Sequence, residues 1–148
     1  MVQNHQRKVR LNLSVYDRFH HRILREFRLL PDSAAIHFLT DAEMKRLNQT
    51  FRKKPTTTDV LSFPSEERAR PARLRARAKA LRGTFLGDIA ISPAVACRNA
   101  KAFGRTLEQE ICILMLHGLL HLLGYDHETD RGEMEHLELK LRRRLGLA

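Results

Sequence analysis

The stretch Ile111–Leu123 is the most apolar part of this sequence, and its only interruptions are His117, Gly118 and His121. A membrane span takes about 20 apolar residues, so this stretch is too short to cross a bilayer. It is long enough for several turns of α-helix. We therefore predict a helix buried in the core of a folded domain, with two histidines on an otherwise apolar surface.

Local patterns predict the other elements. Alternating or β-rich apolar segments predict strands at Val9–Val15, Ala34–Leu39, Asp59–Phe63 and Thr84–Ile91. Capping residues predict helix starts at Thr40 with Glu43, Ser92 with Pro93, Thr106 with Gln109 and Asp130 with Glu133. Helical spacing after residue 15 predicts one more helix. The expected fold class is α/β (α+β), a single domain over residues 1–148 with a small mixed sheet packed with about five helices.

The charge balance favours a polyanionic partner. The chain has 27 Lys and Arg against 17 Asp and Glu, which gives a formal net charge of +10, and such an excess attracts nucleic acid through phosphate contacts. The segment 65–82 holds seven basic and two acidic residues, hence +5. It is either an arm that touches RNA or a solvated insertion. The polar N-terminus and the lack of a membrane span predict a cytoplasmic protein without a membrane partner.

Three histidines surround the end of the apolar helix. His117 and His121 are four residues apart, so both point from the same helix face. Gly124 can adopt the left-handed conformation that ends a helix and turns the chain back, which would bring His127 toward the other two. Three imidazoles with an open fourth position are typical of a catalytic zinc site. We therefore predict one Zn²⁺ ion on these histidines, at the end of the buried helix.

The chemistry of such a site is left partly open by the residues. Zinc lowers the pKa of its water and polarises a carbonyl or phosphoryl oxygen. Asp126 is a candidate to hold a ligand imidazole in place. The spacing of the histidines also matches the metzincin metallopeptidases, but those enzymes have a glutamate as general base where Gly118 stands here. Glu110 is a weak alternative base, and the RNA 2′-hydroxyl is an alternative nucleophile. The other histidines, His5, His20, His21, His37 and His136, are predicted to lie on the surface or in packing positions.

The histidine segment closely resembles the signature of the YbeY family of bacterial endoribonucleases. Further blocks follow the order of that family: Leu47-Asn48, Phe51-Arg52, Thr58-Asp-Val-Leu-Ser-Phe-Pro64 and Leu86-Gly-Asp-Ile89. The resemblance implies a single α/β domain, zinc on the three histidines, and cleavage of single-stranded RNA. It also implies a role in ribosomal RNA maturation and ribosome quality control, with ribosomal particles as partners.

The resemblance assigns a functional role to Arg52, whose guanidinium is suited to binding a phosphate. One departure lies nearby, because Thr57 stands where the family usually has proline, and Pro55 comes two residues earlier. Two alternatives remain at this point: a metallopeptidase, and a ribosome-assembly protein that binds RNA around a structural zinc. The sequence leaves the oligomeric state undetermined.

Overall fold

A computed structural model describes residues 1–54, 56–65, 84–126 and 128–147. The described strands are β1 (Val2–Asn4), β2 (Ala34–Phe38), β3 (Val60–Pro64) and β4 (Gly87–Ile91). The described helices are α1 (Leu13–Glu26), α2 (Asp41–Arg52), α3 (Pro93–Phe103), α4 (Leu107–Leu122) and α5 (Glu133–Arg144). The predicted basic insertion at 65–82 lies outside the described residues, apart from Ser65.

The strands form one mixed sheet in the order β1-β2-β4-β3. β1, β2 and β4 are parallel, whereas β3 pairs antiparallel with β4 and forms an edge of the described sheet. The predicted α/β class and the mixed sheet are therefore confirmed, and the described residues contain five helices, in agreement with the prediction. None of the described helices is long and apolar enough to cross a membrane.

The predicted strand at Val9–Val15 is wrong. The first strand is Val2–Asn4, and Leu13 already belongs to α1. Gln6 redirects the chain between them, because its side chain donates to the carbonyl of Val9 and accepts from the N–H of Val9, both at 2.9 Å. Leu11 contacts the core from a loop, and Leu13 contacts it from the first turn of α1. The alternation of apolar residues therefore comes from these two contacts and does not indicate a strand.

Different helices cover the two faces of the sheet. Ile89 and Ile91 lie in the large core, which also contains buried residues of α1 and α4. Leu61 and Ala90 form a smaller cluster with Met44 of α2. Since side chains alternate along a strand, α2 and α4 lie on opposite faces of the sheet. This arrangement decides which functional residues can approach each other.

Most helix boundaries follow the predicted caps. Thr40 and Thr106 each form a complete capping box with Glu43 and Gln109, and Ser92 caps α3. The start of α5 differs from the prediction, since the N-cap is Gly132 with φ 97°. Asp130 still supports this helix start, because its carboxylate accepts from the N–H groups of Gly132 and Met134, both at 2.9 Å.

Candidate metal centre and its surroundings

His117 and His121 converge on one point at the C-terminal end of α4. Their Nε2 atoms face each other at 3.1 Å, and the two rings lie edge to face with centroids 4.7 Å apart. Two nitrogens bound to one tetrahedral zinc ion at 2.0–2.1 Å would be about 3.3 Å apart. The observed separation therefore fits two ligands of one ion.

Glu138 of α5 holds His117 from behind. Its Oε1 lies 2.6 Å from Nδ1 of His117, and its Oε2 accepts from Arg142 at 2.6 Å. Burial by itself would raise the pKa of Glu138, but the hydrogen bond from His117 and the charge of Arg142 outweigh it and lower the pKa. The carboxylate is therefore ionised and can only accept hydrogen bonds.

This contact determines the tautomer of His117. Because an ionised carboxylate has no proton to donate, Nδ1 of His117 must carry the hydrogen. In a neutral imidazole, Nε2 then carries the lone pair, and it is the atom that faces His121. A carboxylate behind a histidine is the usual way in which proteins orient a metal-ligating ring. The residues present thus fit a zinc ion.

The chain reverses directly after His121, as predicted. Gly124 has φ 102°, its N–H donates to the carbonyl of His121, and the N–H of Tyr125 donates to the carbonyl of Leu120. His127 itself lies outside the described residues, so its place in the site stays a prediction. Among the described residues, no group of three or more His, Cys, Asp or Glu is placed to hold a metal.

Asp126 has a visible role in the turn. Its Oδ1 accepts from the backbone N–H of Glu128, and its carbonyl accepts from the N–H groups of Thr129 and Asp130. The described carboxylate that contacts a predicted ligand is Glu138. A sequence signal for it existed, because residue 138 lies four positions after Met134 and three before Leu141, on the apolar stripe of α5. An acidic residue on a buried stripe requires a partner.

Gly118 brings α4 against the sheet. A Cβ atom at this position would lie 2.7 Å from Cγ2 of Ile89, and the Gly118 carbonyl accepts from Oγ of Ser62 at 3.0 Å. A larger side chain would have to displace the buried side chain of Ile89 in β4. The glutamate that metzincins carry at this position is therefore sterically excluded.

Glu110, the weak candidate for a general base, has another partner. It is 3% exposed, and Arg105 donates to its Oε1 at 3.0 Å. It also lies near the opposite end of α4 from the histidines. The structure therefore gives Glu110 a role in an ion pair rather than in proton transfer.

Arg52 is the last residue of α2 and is exposed. It lies on the α2 side of the sheet, whereas the histidines lie on the α4 side, with the edge strand β3 between them. Its side chain would have to extend around this edge to reach a phosphate at the metal centre. The structure thus brings together His117 and His121 but places Arg52 on a different helix, across β3.

An apolar groove of about 570 Å³ lies beside Arg52, between α2 and the sheet. Phe51, which is 63% exposed, meets Phe63 edge to face at 5.0 Å on one side. His37 and Asp88 line the other side, with His37 Nε2 and Asp88 Oδ1 2.8 Å apart. Sequence reasoning did not identify this groove, because α2, β2, β3 and β4 all contribute to it.

Comparison with known proteins identifies the family to which this chain belongs. A family model described as "Endoribonuclease YbeY" matches residues 1–146. The chain belongs to the YbeY endoribonuclease family. The resemblance noted from the histidine segment is confirmed, and the protein is an endoribonuclease, a hydrolase.

Two curated YbeY endoribonucleases show the extent of the match. The relative from Solibacter usitatus is 49% identical over 133 residues, which cover 88% of this chain and 78% of the relative. The relative from Nautilia profundicola is 46% identical over 122 residues, covering 82% of this chain and 78% of the relative. A solved solution structure from Thermotoga maritima has a TM-score of 0.61 at 26% identity and covers 99% of this chain and 90% of its own. The YbeY assignment thus extends to nearly the whole fold.

We expect Glu138→Gln to weaken zinc binding about 10- to 100-fold, because the amide removes the charge that orients and polarises His117. The measurement is a competition titration of metal-free protein with zinc and a chelating dye, which does not depend on activity. Glu135→Gln, an exposed position on the same helix, is the matched control. Equal zinc affinities for the two variants would show that Glu138 has no role in metal binding.

Proposed function

We propose that this YbeY-family endoribonuclease cleaves single-stranded RNA with one zinc ion held by His117, His121 and His127. We further propose that it acts on ribosomal RNA in the cytoplasm, in ribosome maturation and quality control, as the family resemblance implies. The observation that carries the metal-dependent part is the pair of facing imidazoles backed by Glu138. When bound, zinc supplies positive charge that polarises a phosphoryl oxygen and lowers the pKa of water.

The residues around this point have separate tasks in the proposal. Glu138 holds the ring of His117 so that Nε2 faces His121, and Arg142 keeps Glu138 ionised. Ordering the two rings in advance reduces the reorganisation needed when metal and substrate bind. Arg52 would bind a phosphate of the RNA by the bidentate geometry of its guanidinium. Its exposed position at the end of α2 suits a phosphate that passes around the β3 edge.

The groove beside Arg52 supports a single-stranded substrate. Unpaired bases stack on exposed aromatic rings, whereas the bases of a duplex are already stacked on each other. Phe51 offers such a ring directly next to Arg52, and Phe63 closes the same groove. One nucleotide could therefore place its base in the groove and its phosphate on the arginine.

The metallopeptidase alternative is disfavoured by two findings. The family is one of endoribonucleases, and the close contact between Gly118 and Ile89 leaves no room for the glutamate base of a metzincin. The formal net charge of +10 also fits a phosphate-rich substrate better than a peptide.

The test uses the metal-loaded protein with an end-labelled single-stranded RNA, the same RNA annealed to its complement, and a peptide library. We expect cleavage of the single strand alone, loss of cleavage with a chelator, and recovery on addition of zinc. A copy of the RNA with 2′-deoxy sugars identifies the nucleophile. This copy is not cleaved if the 2′-hydroxyl is the nucleophile, and it is still cleaved if water is. Equal cleavage of both strand forms would contradict the single-strand proposal. Cleavage unaffected by the chelator would contradict the zinc proposal.

A further inference from the structure

A basic groove lies between α1 and the end of α5. It has a volume of about 600 Å³. It is lined by Arg22, Arg25 and Glu26 of α1, by Arg28 just after α1, and by Arg144 at the end of α5. Four guanidinium groups against one carboxylate give the groove a formal charge of +3. None of these residues belongs to the candidate metal centre.

The helical spacing of α1 and the turn that follows it bring three of these arginines together. Its apolar face is buried, and Arg22 and Arg25 lie on the exposed face, three residues apart. Arg28 follows the helix with a left-handed φ of 56°, and its N–H donates to the carbonyl of Arg25 at 2.9 Å. This backward turn brings Arg28 to the same groove. A non-glycine residue rarely adopts that conformation.

Three arginines of this groove differ in their pairing from the arginines that carboxylates hold in place. Arg98, Arg105 and Arg142 each have a carboxylate partner. In the part of the chain that the structure describes, Arg22, Arg25 and Arg28 have none. Glu26 lies 3.6 Å from Arg144, which is itself largely exposed. Four like charges with a single carboxylate among them repel one another, so the groove would gain from an anionic ligand.

We propose that this groove binds backbone phosphates of the RNA substrate, as a docking site separate from the metal centre. Guanidinium groups bind phosphate oxygens in pairs, which favours arginine over lysine for this purpose. The proposal rests on RNA being the ligand of this endoribonuclease family. It does not depend on zinc or on the position of the cut.

The distance between the two sites sets the length of RNA that can use both. Arg22 also lines a neighbouring pocket together with Gln109 and Cys112 of α4. These residues precede His121 by 12 and 9 positions, or about 18 and 14 Å along the helix axis. At about 3.4 Å per stacked nucleotide, at least about four or five nucleotides must therefore lie between the two sites. Shorter RNAs would reach one site only.

An anionic membrane surface is a poorer occupant. Helices that bind membranes insert an apolar face next to their basic residues. The apolar residues of α1, among them Phe19, Ile23 and Leu24, are instead buried in the protein core. The groove therefore offers charge without an inserting surface, which suits a phosphate chain in water.

The test compares Arg22→Ala, Arg25→Ala and Arg28→Ala combined in one variant with a control that combines Lys8→Ala, Lys45→Ala and Lys101→Ala. Both variants lose three exposed positive charges, so the net charge is matched. Binding to a 2′-O-methyl phosphorothioate RNA of about 30 nucleotides, which resists cleavage, is measured by fluorescence anisotropy at several salt concentrations.

We expect the arginine variant to bind the long RNA about tenfold more weakly or worse, with the slope of log affinity against log salt reduced by about two. The lysine control should show little change. Equal losses in the two variants would overturn the proposal in favour of net charge alone. Unchanged RNA binding together with lost binding to phosphatidylglycerol vesicles would overturn it in favour of a membrane. Circular dichroism verifies that each variant is folded. The experiment measures binding and does not require cleavage. The result can therefore be interpreted even if the zinc proposal fails.

Discussion

His121→Ala is expected to reduce RNA cleavage at least about a thousandfold while the domain remains folded. The substitution removes one of two imidazoles whose Nε2 atoms face each other at 3.1 Å, and the remaining ligands would hold an ion weakly. Stability should change little, because His121 is only half-buried and the core of α4 is formed by its leucines, isoleucines and Met115. Single-turnover cleavage of an end-labelled RNA and thermal unfolding are measured on the same preparation.

His136→Ala is the matched control, since His136 is an exposed histidine on α5. Both variants are purified identically with the wild type, so that a contaminating ribonuclease would appear equally in all three. Cleavage that persists in a folded His121→Ala protein would rule out this residue as a catalytic metal ligand. Unfolding of that variant would instead favour a structural zinc, the alternative that the sequence left open.

Gly87→Ala is expected to destabilise the domain by about 3–5 kcal/mol. Gly87 has φ 144°, and a Cβ atom there would lie 2.2 Å from the carbonyl oxygen of Phe63 and 3.0 Å from Cδ2 of Leu122. The nearest atom belongs to the backbone of the paired strand, so it can move only if β3 separates from β4. Urea unfolding followed by circular dichroism gives the free energy of unfolding.

Gly104→Ala is the comparison, because this glycine lies in the ordinary left-handed region with open space around it. Gly104 also has positive φ, 66°, but a Cβ atom added there would have no neighbour within 4 Å. That variant should lose only about 1 kcal/mol, the cost of the left-handed conformation for an L-residue. If both variants lost the same free energy, the backbone strain at Gly87 and its contact with β3 would together cost no more than an ordinary left-handed residue, contrary to our expectation. Because Ser62 of β3 contacts α4 at Gly118, Gly87→Ala should also weaken zinc binding.

Several features were predictable because their causes lie within a few residues. The capping boxes of Thr40 and Thr106 join positions three apart, and both formed as predicted. The convergence of His117 and His121 follows from the pitch of one helix, and the turn at Gly124 follows from its freedom to adopt positive φ. Hydrogen bonds and spacings of this kind are set by the local chain, whatever packs around it.

Errors and omissions arose where distant segments meet. The alternating pattern at Val9–Val15 is compatible with either a strand or a loop that contacts the core, and only the packing of Val2–Asn4 against β2 decided between them. Glu138 is separated from His117 by 21 residues. Glu138 can orient His117 only because α5 packs against α4 with the face that carries Glu138.

By itself, the sequence determined the fold class, the buried helix, the histidine pair and the resemblance to the YbeY family. Only the tertiary structure decided that a carboxylate from α5 orients His117, that Arg52 lies across β3 from the metal centre, and that three arginines without carboxylate partners share a groove. The physical reason is that helical geometry acts over three or four residues and can be read along the chain. Contacts between helices and strands depend on which surfaces the hydrophobic core brings together.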